Sequence, residues 1–565
     1  MPKIETTGKQ FYSLLGKTLT DSEMEDIFPV AKAELDGHEG DTIKIELNDT
    51  NRPDLWSAAG IARQLRSYWG EGETLYDFFS TKDETFDNEG RCLIVDKSVA
   101  EVRPYSIGFA VKGHTVSDED LVALIQSQEK LCFNFGRKRK TIAMGIYRSD
   151  LIKYPVHYEG VNPDTTSFVP LGMTESMTLR QMCSDHPKGK DYGYIVADKK
   201  VFPYLRDDNG DALSFPPVIN SDRIGSVKVG DNALFVELSG PNLRDLLLAS
   251  SIMACDMADL GFQILPVKVL FPEETEFGSE LTVPYYFQDP ISCPLSLVHK
   301  TLGEKLTGDQ AILALKKMGI FALCSENVLY ATVPEYRNDF LHAVDLVEDI
   351  MIGYGLGNFK PEMPRDFTVG RISAVEEFSR KVKDIMVGLG YQEMVYNYLG
   401  SKREYVENMH VDGKDYIYIS NPMSENFEVV RPSIIPSLLE SESVSGHATF
   451  PHNIFEIGKV AYLCPADNSG TTTRNNLGFL ASNSVMGFNE ASSYVNTIMY
   501  FVNKEYTLGA LENDPRFIEG RCAVILCNGK KLGVFGEVHP AVLESWGCSM
   551  PTIACELDLD SILGE

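Results

Sequence analysis

The sequence predicts a multidomain α+β protein, and three observations carry that prediction. Its 565 residues exceed what one core organises, since domains of about 100–200 residues are the norm and three to five units are therefore expected. Hydrophobic residues make up 43% and charged residues 24%, the balance of a chain with enough apolar side chains for real cores. Helical and strand-like segments succeed one another from end to end, with no internal repeat or low-complexity tract.

Residues 1–85 predict an N-terminal α+β unit. KQFYSLLG reads as a helix, TIKIELN as a strand, DTNRPDL as a turn and WSAAGIARQLRSYWG as a helix, with Pro53 suited to that helix's first turn or the turn before it. The acidic, aromatic stretch 70–90 reads as a linker. Residues 91–270 then alternate strands (CLIVDK, YSIGFAVKG, TIAMGIY, ALFVELSG) with helices (DEDLVALIQSQEKLCFNF, LRDLLLASSIMACDMADLG), predicting a mixed α/β domain. Inside it, two prolines make LSFPPVINS a rigid loop and not a central strand.

The order helix (QAILALKKMG), short strand (VLYATVPEY), acidic helix predicts a small winged-helix-like module over 271–362. From 365 to 565 a long helix, AVEEFSRKVKDIMVGLG, precedes strands MVYNYLG, HNIFEIGKVAYL, NLGFLAS, CAVILCNG and KLGVFGEVH. These predict a mostly antiparallel sheet with packed helices.

No window holds 18 consecutive apolar residues, and the first residues lack the basic start and long apolar run of a signal peptide. The expectation is a soluble, cytoplasmic protein with no membrane partner. Eleven cysteines without a CxxC pair read as reduced thiols, with Cys522 and Cys527 in or beside one strand. A net charge of -29 repels nucleic acid over the surface as a whole, so any RNA contact is local or shared. The densest basic run, Arg137 to Lys140, reads first as a solvated loop entering TIAMGIY.

The segment PEYRNDFLHAVDLVEDIMIGYGLGN places Asp339, Asp345, Glu348 and Asp349 close together. At about 100° per residue, Asp345, Glu348 and Asp349 share one stripe while Val344, Leu346, Val347, Ile350 and Met351 span the opposite arc. Asp339 lies off the stripe, where helix N-capping is the simple role. Two readings of the stripe stay open: a solvated acidic face, which costs only about 0.2–0.5 kcal/mol per like-charge pair, or carboxylate ligands for Mg²⁺.

NDTNRPDLWSAAGIARQL, GRKRKTIAMGIYRSD, HPKGKDYGY, LSFPPVINS, VPEYRNDFLHAVDLVEDIMIGYGLGN, NPMSENFEVVRPSIIPSLLES, IFEIGKV and GVFGEVHPAVLESWG occur in that order. Together they resemble the β subunit of phenylalanyl-tRNA synthetase in its shorter archaeal and eukaryotic form. The resemblance implies an assembly of two α and two β chains acting on tRNA(Phe), with ATP and L-phenylalanine handled by the α subunit. It implies that Asp339, Asp345, Glu348 and Asp349 are Mg²⁺ ligands at the contact with α. It makes 91–270 an editing domain that hydrolyses tRNA(Phe) mischarged with tyrosine, with its pocket at Leu205, Ser214, Glu237 and Ser239. Many relatives show Asp and Thr where this chain has Glu237 and Ser239, which alters reach while preserving the acid and the hydroxyl.

The resemblance further implies that the C-terminal module has a class II synthetase fold without its chemistry. The sequence agrees in holding no glycine-rich segment that ends in arginine. Arg431 in VVRPSIIPSLL reads either as a phosphate contact or as a residue at a helix start. Two functions of other classes compete: a metal-dependent phosphohydrolase built on the acidic helix, and a noncatalytic acidic scaffold. The first lacks support, since no HxxxH or HxH pair and no phosphate loop accompanies the acids.

Overall fold

A computed structural model describes residues 3–48, 51–70 and 76–564. Residues 49–50 of the expected turn and 71–75 of the expected linker lie outside the described residues. The chain divides into two compact units, Met1–Glu362 and Met363–Glu565.

The first unit opens with β1 (Lys3–Thr7), α1 (Gly8–Leu15), α2 (Asp21–Ile27), β2 (Ala33–Glu39), β3 (Thr42–Leu47) and α3 (Ala58–Trp69). The strands form an antiparallel sheet in the order β1-β3-β2. In β3 alternation decides the faces: Ile43, Ile45 and Leu47 are buried and the residues between them are half-buried. Pro53 starts the short turn Pro53–Leu55, and the Ser57 hydroxyl then caps α3 by accepting from the Gly60 amide at 2.9 Å.

Next come β4 (Cys92–Val95), β5 (Tyr105–Lys112), α4 (Asp118–Lys130), β6 (Ala143–Arg148), β7 (Val156–Val161), β8 (Ser167–Phe168), β9 (Met177–Thr178), α5 (Leu179–Asp185) and α6 (Pro187–Tyr192). They are followed by β10 (Phe202–Arg206), β11 (Ala212–Phe215), β12 (Ile219–Asn220), β13 (Ala233–Gly240), α7 (Leu243–Asp259), β14 (Gln263–Leu265), β15 (Val267–Thr275) and β16 (Gly278–Val283). Three sheets result, a seven-stranded one in the order β12-β11-β10-β7-β4-β15-β16, a four-stranded one in the order β14-β5-β13-β6 and a two-stranded one of β8 and β9.

Three expectations change here. β15 crosses the expected boundary at 270 and pairs with β16, so the sheet continues to Val283. LSFPPVINS is not simply a loop: Leu213–Phe215 lies in β11, second from the sheet edge, and the two prolines are confined to the turn before β12, where no ladder donor is needed. The expected linker is packed over its first described residues, 76–81, while 82–87 are exposed. The Tyr76 hydroxyl donates to Asp259 at 3.1 Å, and Phe79 is buried in the core.

The unit closes with β17 (Ile291–Pro294), α8 (Leu295–Leu302), α9 (Gly308–Lys317), β18 (Phe321–Ser325), β19 (Val328–Thr332) and α10 (Ala343–Tyr354). The three strands order β17-β19-β18, and Leu346, Val347 and Ile350 of α10 pack on Val298 and Leu315. Gly353 permits that approach, since a Cβ there would lie 2.0 Å from the Ala314 carbonyl oxygen. The apolar arc of α10 is narrower than the periodicity implies, for Val344 is exposed.

The second unit contains α11 (Ala374–Gly388), β20 (Gln392–Glu393), β21 (Leu399–Gly400), β22 (Ile417–Tyr418), β23 (Val429–Val430), α12 (Ile435–Val444), β24 (His452–Leu463) and β25 (Thr471–Ser482). Then follow α13 (Phe488–Phe501), β26 (Thr507–Ala510), β27 (Phe517–Cys527), β28 (Lys530–Val538), α14 (Pro540–Trp546), β29 (Thr552–Asp558) and α15 (Leu559–Leu563). Its large sheet orders β20-β24-β25-β29-β28-β27-β26 and is antiparallel except at β20–β24. Of MVYNYLG only Leu399–Gly400 is strand. Among the described residues, no helix is long and apolar enough to cross a membrane.

Candidate functional site

Glu237 and Ser239 alternate onto the same face of β13, and strand pairing sets Gly108 of β5 and Gly145 of β6 on either side of Glu237. From the seven-stranded sheet, Leu205 of β10 and Ser214 of β11 stand opposite one another as register partners. The sheets are joined by a hydrogen bond from the Tyr147 hydroxyl to Ser214 Oγ at 2.8 Å. All four expected pocket residues are therefore brought together, and all four are buried.

Glu237 is 1% exposed, and the nearby Arg103 guanidinium is taken up by Ser239. Glu237 Oε1 accepts from Ser106 Oγ at 2.7 Å, and Oε2 lies 3.5 Å from the Tyr147 hydroxyl, the limit of a hydrogen bond. Burial pushes its carboxyl up to about 7, against the opposing pull of the Ser106 bond and the Arg103 charge. Such a group can accept a hydrogen bond as a carboxylate or donate one as an acid near neutral pH.

Arg103 connects this interior to the basic run. Its Nε donates to Ser239 Oγ at 3.1 Å and its Nη2 to the Ser239 carbonyl, while Nη1 reaches the carbonyls of Arg139 and Lys140 at 3.3 and 3.1 Å. Arg137, Lys138 and Arg139 are consecutive left-handed residues, φ 49°, 57° and 65°, a conformation that non-glycine residues adopt rarely and singly. The solvated-loop reading holds for Arg137, Lys138 and Lys140, which are exposed. It fails for Arg139, whose Nη1 donates to the Pro217 and Val218 carbonyls at 3.2 and 3.1 Å and whose guanidinium lies 4.1 Å from the Tyr192 ring centre. A cavity of about 280 Å³ opens beside Arg139, Met144, Lys188, Val218 and Asn220; none of the four pocket residues lines it.

The acidic helix departs from expectation. Asp339 does not cap it: α10 begins at Ala343, and Asp345 Oδ2 accepts from the amides of Leu341 and His342 at 2.7 and 2.6 Å. Asp339 and Asp349 both clasp Arg337, which is 1% exposed. Its Nε and Nη2 donate to Asp339 at 3.0 and 2.6 Å, and its Nη1 and Nη2 to Asp349 at 3.0 and 2.8 Å. Arg52 forks onto Asp54 at 2.8 and 2.7 Å and stands 3.9 Å from Asp339, so two guanidiniums face three carboxylates. Burial works against the charge on Asp339, yet Arg337 and then Arg52 hold its carboxyl down to about 2.

A four-carboxylate cradle for Mg²⁺ does not fit this arrangement, because Arg337 already engages both oxygens of Asp339 and of Asp349. Nor does a wholly solvated face, because Asp349 is buried. Asp345 and Glu348 remain half-exposed, Glu348 paired with Lys32 at 2.9 Å. Each uses only one carboxylate oxygen in these bonds, so the pair suits a hard cation that retains water and needs one or two carboxylates.

In the second unit Arg431 is fully buried and forks onto Glu456 at 2.7 and 3.0 Å, with its Nε donating to the Lys459 carbonyl at 2.8 Å. It is neither a phosphate contact nor a helix-start residue, since α12 begins at Ile435.

Sequence reasoning missed Arg103, Ser106 and Tyr147 as parts of the interlayer site, and Arg337 as the anchor of the acids. One signal was present: glycine in the middle of two apolar strands, YSIGFAVKG and TIAMGIY, marks a close approach. A Cβ on Gly145 would lie 2.0 Å from the Tyr147 hydroxyl oxygen.

Residues 360–559 match the family model described as the phenylalanyl tRNA synthetase beta chain CLM domain, and residues 291–356 match the tRNA synthetase B5 domain. The chain is 46% identical over 566 residues to the phenylalanine–tRNA ligase beta subunit of Borrelia turicatae (strain 91E135), covering 100% of both chains. To that of Borreliella burgdorferi (strain ZS7) it is 45% identical over 567 residues, again covering 100% of both. Among solved structures it resembles an N-terminal fragment of the phenylalanyl-tRNA synthetase beta subunit from Pyrococcus horikoshii, with a TM-score of 0.58 and 32% identity over 63% of this chain and 100% of that one.

Proposed function

The chain belongs to the family of phenylalanine–tRNA ligase β subunits, and on that premise we propose how its parts divide the work. It serves a ligase that attaches L-phenylalanine to tRNA(Phe) at the expense of ATP, with synthesis carried by an α partner in an assembly of two α and two β chains. The buried Arg431–Glu456 pair supports a C-terminal module, 365–565, that is silent in that chemistry: a guanidinium locked on a carboxylate is not available to a phosphate. The remaining boundaries proposed are 1–85 for the N-terminal domain, 91 to about 283 for an editing domain and about 291–362 for the module bearing α10.

The interlayer constellation carries the second activity, hydrolysis of Tyr-tRNA(Phe). A mainly apolar phenylalanine pocket rejects a substrate that merely adds a hydroxyl by only about a hundredfold. A second site that hydrogen-bonds the phenol inverts the preference, because phenylalanine would leave its buried polar groups unpaired. Glu237 is the proposed partner of the phenol, Leu205 packs on the ring, and Ser214 and Ser239 hold the ester or a water. Water's oxygen bonds to the acyl carbon, the bond to the ribose oxygen breaks, and that oxygen takes a proton, releasing tyrosine and intact tRNA. The Ser106 hydroxyl, 2.7 Å from Glu237, is assigned to holding the carboxyl that takes the phenol, so positioning of water and the terminal ribose supplies the rate.

Mg²⁺ is proposed at Asp345 and Glu348, near the α contact. Asp339 and Asp349 are assigned to Arg337, which also removes the basis of a phosphohydrolase on this helix. The single observation behind the editing reading is Glu237, buried among Ser106, Tyr147 and Ser214 without a salt bridge to any of the described residues. Its test is Glu237→Ala in the reconstituted complex: deacylation of Tyr-tRNA(Phe) falls at least tenfold relative to the parent, with phenylalanine charging as the control for assembly. Unchanged deacylation removes Glu237 from the role.

A further inference from the structure

The face of β13 that carries Glu237 is bordered by Gly108 and Gly145, a row of small, large, small residues that lets rings lie close on either side of the carboxyl; over Gly108 lies the Phe235 ring, 2.9 Å from where a Cβ would stand. On the Gly145 side the trough so formed is filled by another ring of the protein itself. Tyr147 is 1% exposed, and its phenol lies over Gly145 so closely that a Cβ there would touch its oxygen and its Cζ, at 2.0 and 2.4 Å. The phenol oxygen is 2.8 Å from Ser214 Oγ and 3.5 Å from Glu237 Oε2, and the ring stands 6.1 Å from that of Phe235. These are the contacts that a tyrosyl substrate needs: a ring slot between sheets, a hydroxyl and a carboxyl at its far end, which moves Ser214 to the phenol's end and leaves Ser239 alone for the ester or a water.

We propose that Tyr147 is an internal stand-in for the substrate's phenol, a plug that must leave the Gly145–Glu237–Ser214 trough before a tyrosyl ester can enter. This inference rests on the editing reading of the same pocket. The fit of a para-substituted phenol follows from the occupant, because removing the Tyr147 side chain leaves a cavity of its own size and polarity. The competition is direct: a substrate phenol and the Tyr147 phenol cannot both occupy the one slot over Gly145 between Ser214 and Glu237. Tyr147 is thereby a specificity-setting gate on the wild-type rate, and the energy of evicting one buried phenol is recovered when another takes its place.

β6 is the edge strand of its sheet, and Met144 and Ile146, on the face opposite Gly145 and Tyr147, line the cavity beside Arg139; the margin of β6 is met by Gln128 Nε2 on the Met144 carbonyl and by the Ile224 carbonyl on the Arg148 amide. Arg103 links the pocket residue Ser239 to the carbonyls of Arg139 and Lys140, which ties the basic turn at the rim to the floor of the site.

The experiment compares reconstituted complexes carrying wild-type, Tyr147→Phe, Tyr147→Ala and Tyr147→Ala/Glu237→Gln chains. Calorimetric binding of p-cresol and of toluene is measured along with deacylation of Tyr-tRNA(Phe). Tyr147→Ala is expected to bind p-cresol at least tenfold more tightly than wild type and more tightly than toluene, and Glu237→Gln to remove that preference. Deacylation should rise at least tenfold in Tyr147→Ala. Tyr147→Phe keeps the ring and its packing but loses the anchor to Ser214, so it folds with the parent and should deacylate about threefold faster. A slower or unchanged Tyr147→Phe complex overturns the plug, because a residue that supports catalysis loses rate when its hydroxyl is removed. Cresol and toluene binding equally, or not at all, to a folded Tyr147→Ala complex overturns it too. The two readings fail differently. If no complex deacylates Tyr-tRNA(Phe) while Tyr147→Ala takes up p-cresol in a Glu237-dependent way, editing falls and the plug stands; if wild type deacylates through Glu237 and both Tyr147 variants slow it, editing stands and the plug falls.

Discussion

Two carboxyls of the first unit, Glu237 and Asp339, are both taken out of water and end on opposite sides of the ordinary range, Glu237 at about 7 and Asp339 at about 2. Burial acts on both in the same direction, against the charge. The difference is the partner. Asp339 meets the guanidinium of Arg337 at 2.6 Å, with Arg52 behind it, whereas Glu237 meets hydroxyls and has Arg103 only at a distance, occupied by Ser239. One region is a closed ion network that holds segments together; the other keeps a proton available at neutral pH. The comparison shows that an acid-rich sequence stretch can lock its carboxyls in ion pairs while a lone glutamate in an apolar strand is the one left to titrate near neutral pH.

The sharpest way to break the comparison is to remove the partner that distinguishes the two. Arg337→Met leaves Asp339 and Asp349 buried beside each other without their cation, and loss of one member of a buried pair costs about 3–5 kcal/mol. Chemical denaturation should show that loss in the transition of the first unit. A change below about 1 kcal/mol would mean that the acids find water or another cation, and the network would lose its structural role.

The next effect in size is a pH dependence at Glu237. Folded, the carboxyl keeps its proton up to about 7; unfolded, it releases it near the ordinary 4.5. Between those values the native state binds more protons than the unfolded state, so stability is fully present below 4.5 and declines as pH rises toward 7, at up to roughly 1.4 kcal/mol per pH unit. Glu237→Gln removes this dependence. Subtracting the denaturation curves of parent and variant at several pH values between 4.5 and 7.5 isolates it, and a flat difference would place Glu237 among ordinary carboxylates.

Smaller effects separate the half-exposed acids from the buried ones on the same helix. Asp345→Ala loses the acceptor of two amides at the helix start and should cost about 1 kcal/mol. Glu348→Gln loses one pair with Lys32, half-exposed on the glutamate side, and should cost a few tenths. Titrating Mg²⁺ against the double variant in the reconstituted complex sharpens the metal reading: weaker dependence on Mg²⁺ than the parent supports Asp345 and Glu348 as its donors, and an unchanged response removes them.

How much was legible in the sequence depends on how far each interaction reaches along the chain. The helices and long strands follow from periodicity and caps, which act within a few residues, and Leu346, Val347 and Ile350 of α10 are buried as their spacing requires. Asp349 shows the limit. At about 100° per residue it lies roughly 60° from Leu346, on the margin of the apolar arc, and a margin is decided by what packs against it. Here that is Arg337, twelve positions earlier and outside the helix, with Arg52 of the N-terminal segment behind it.

The interlayer site divides in the same way. Period-two alternation in β13 by itself put Glu237 and Ser239 on one face, and the resemblance named Leu205 and Ser214. Only the tertiary structure decided what surrounds them. Ser106, Tyr147 and Ser214 come from three strands in two sheets: the contacts of Ser106 and Tyr147 with Glu237 need β5, β13 and β6 to pair, and that of Tyr147 with Ser214 exists only once the two sheets have packed. The sequence by itself determined which residues alternate, cap and turn, because those preferences are local. Whether a buried carboxyl meets a guanidinium or a phenol was decided by packing, because a charge removed from water takes its state from neighbours that the chain brings from afar.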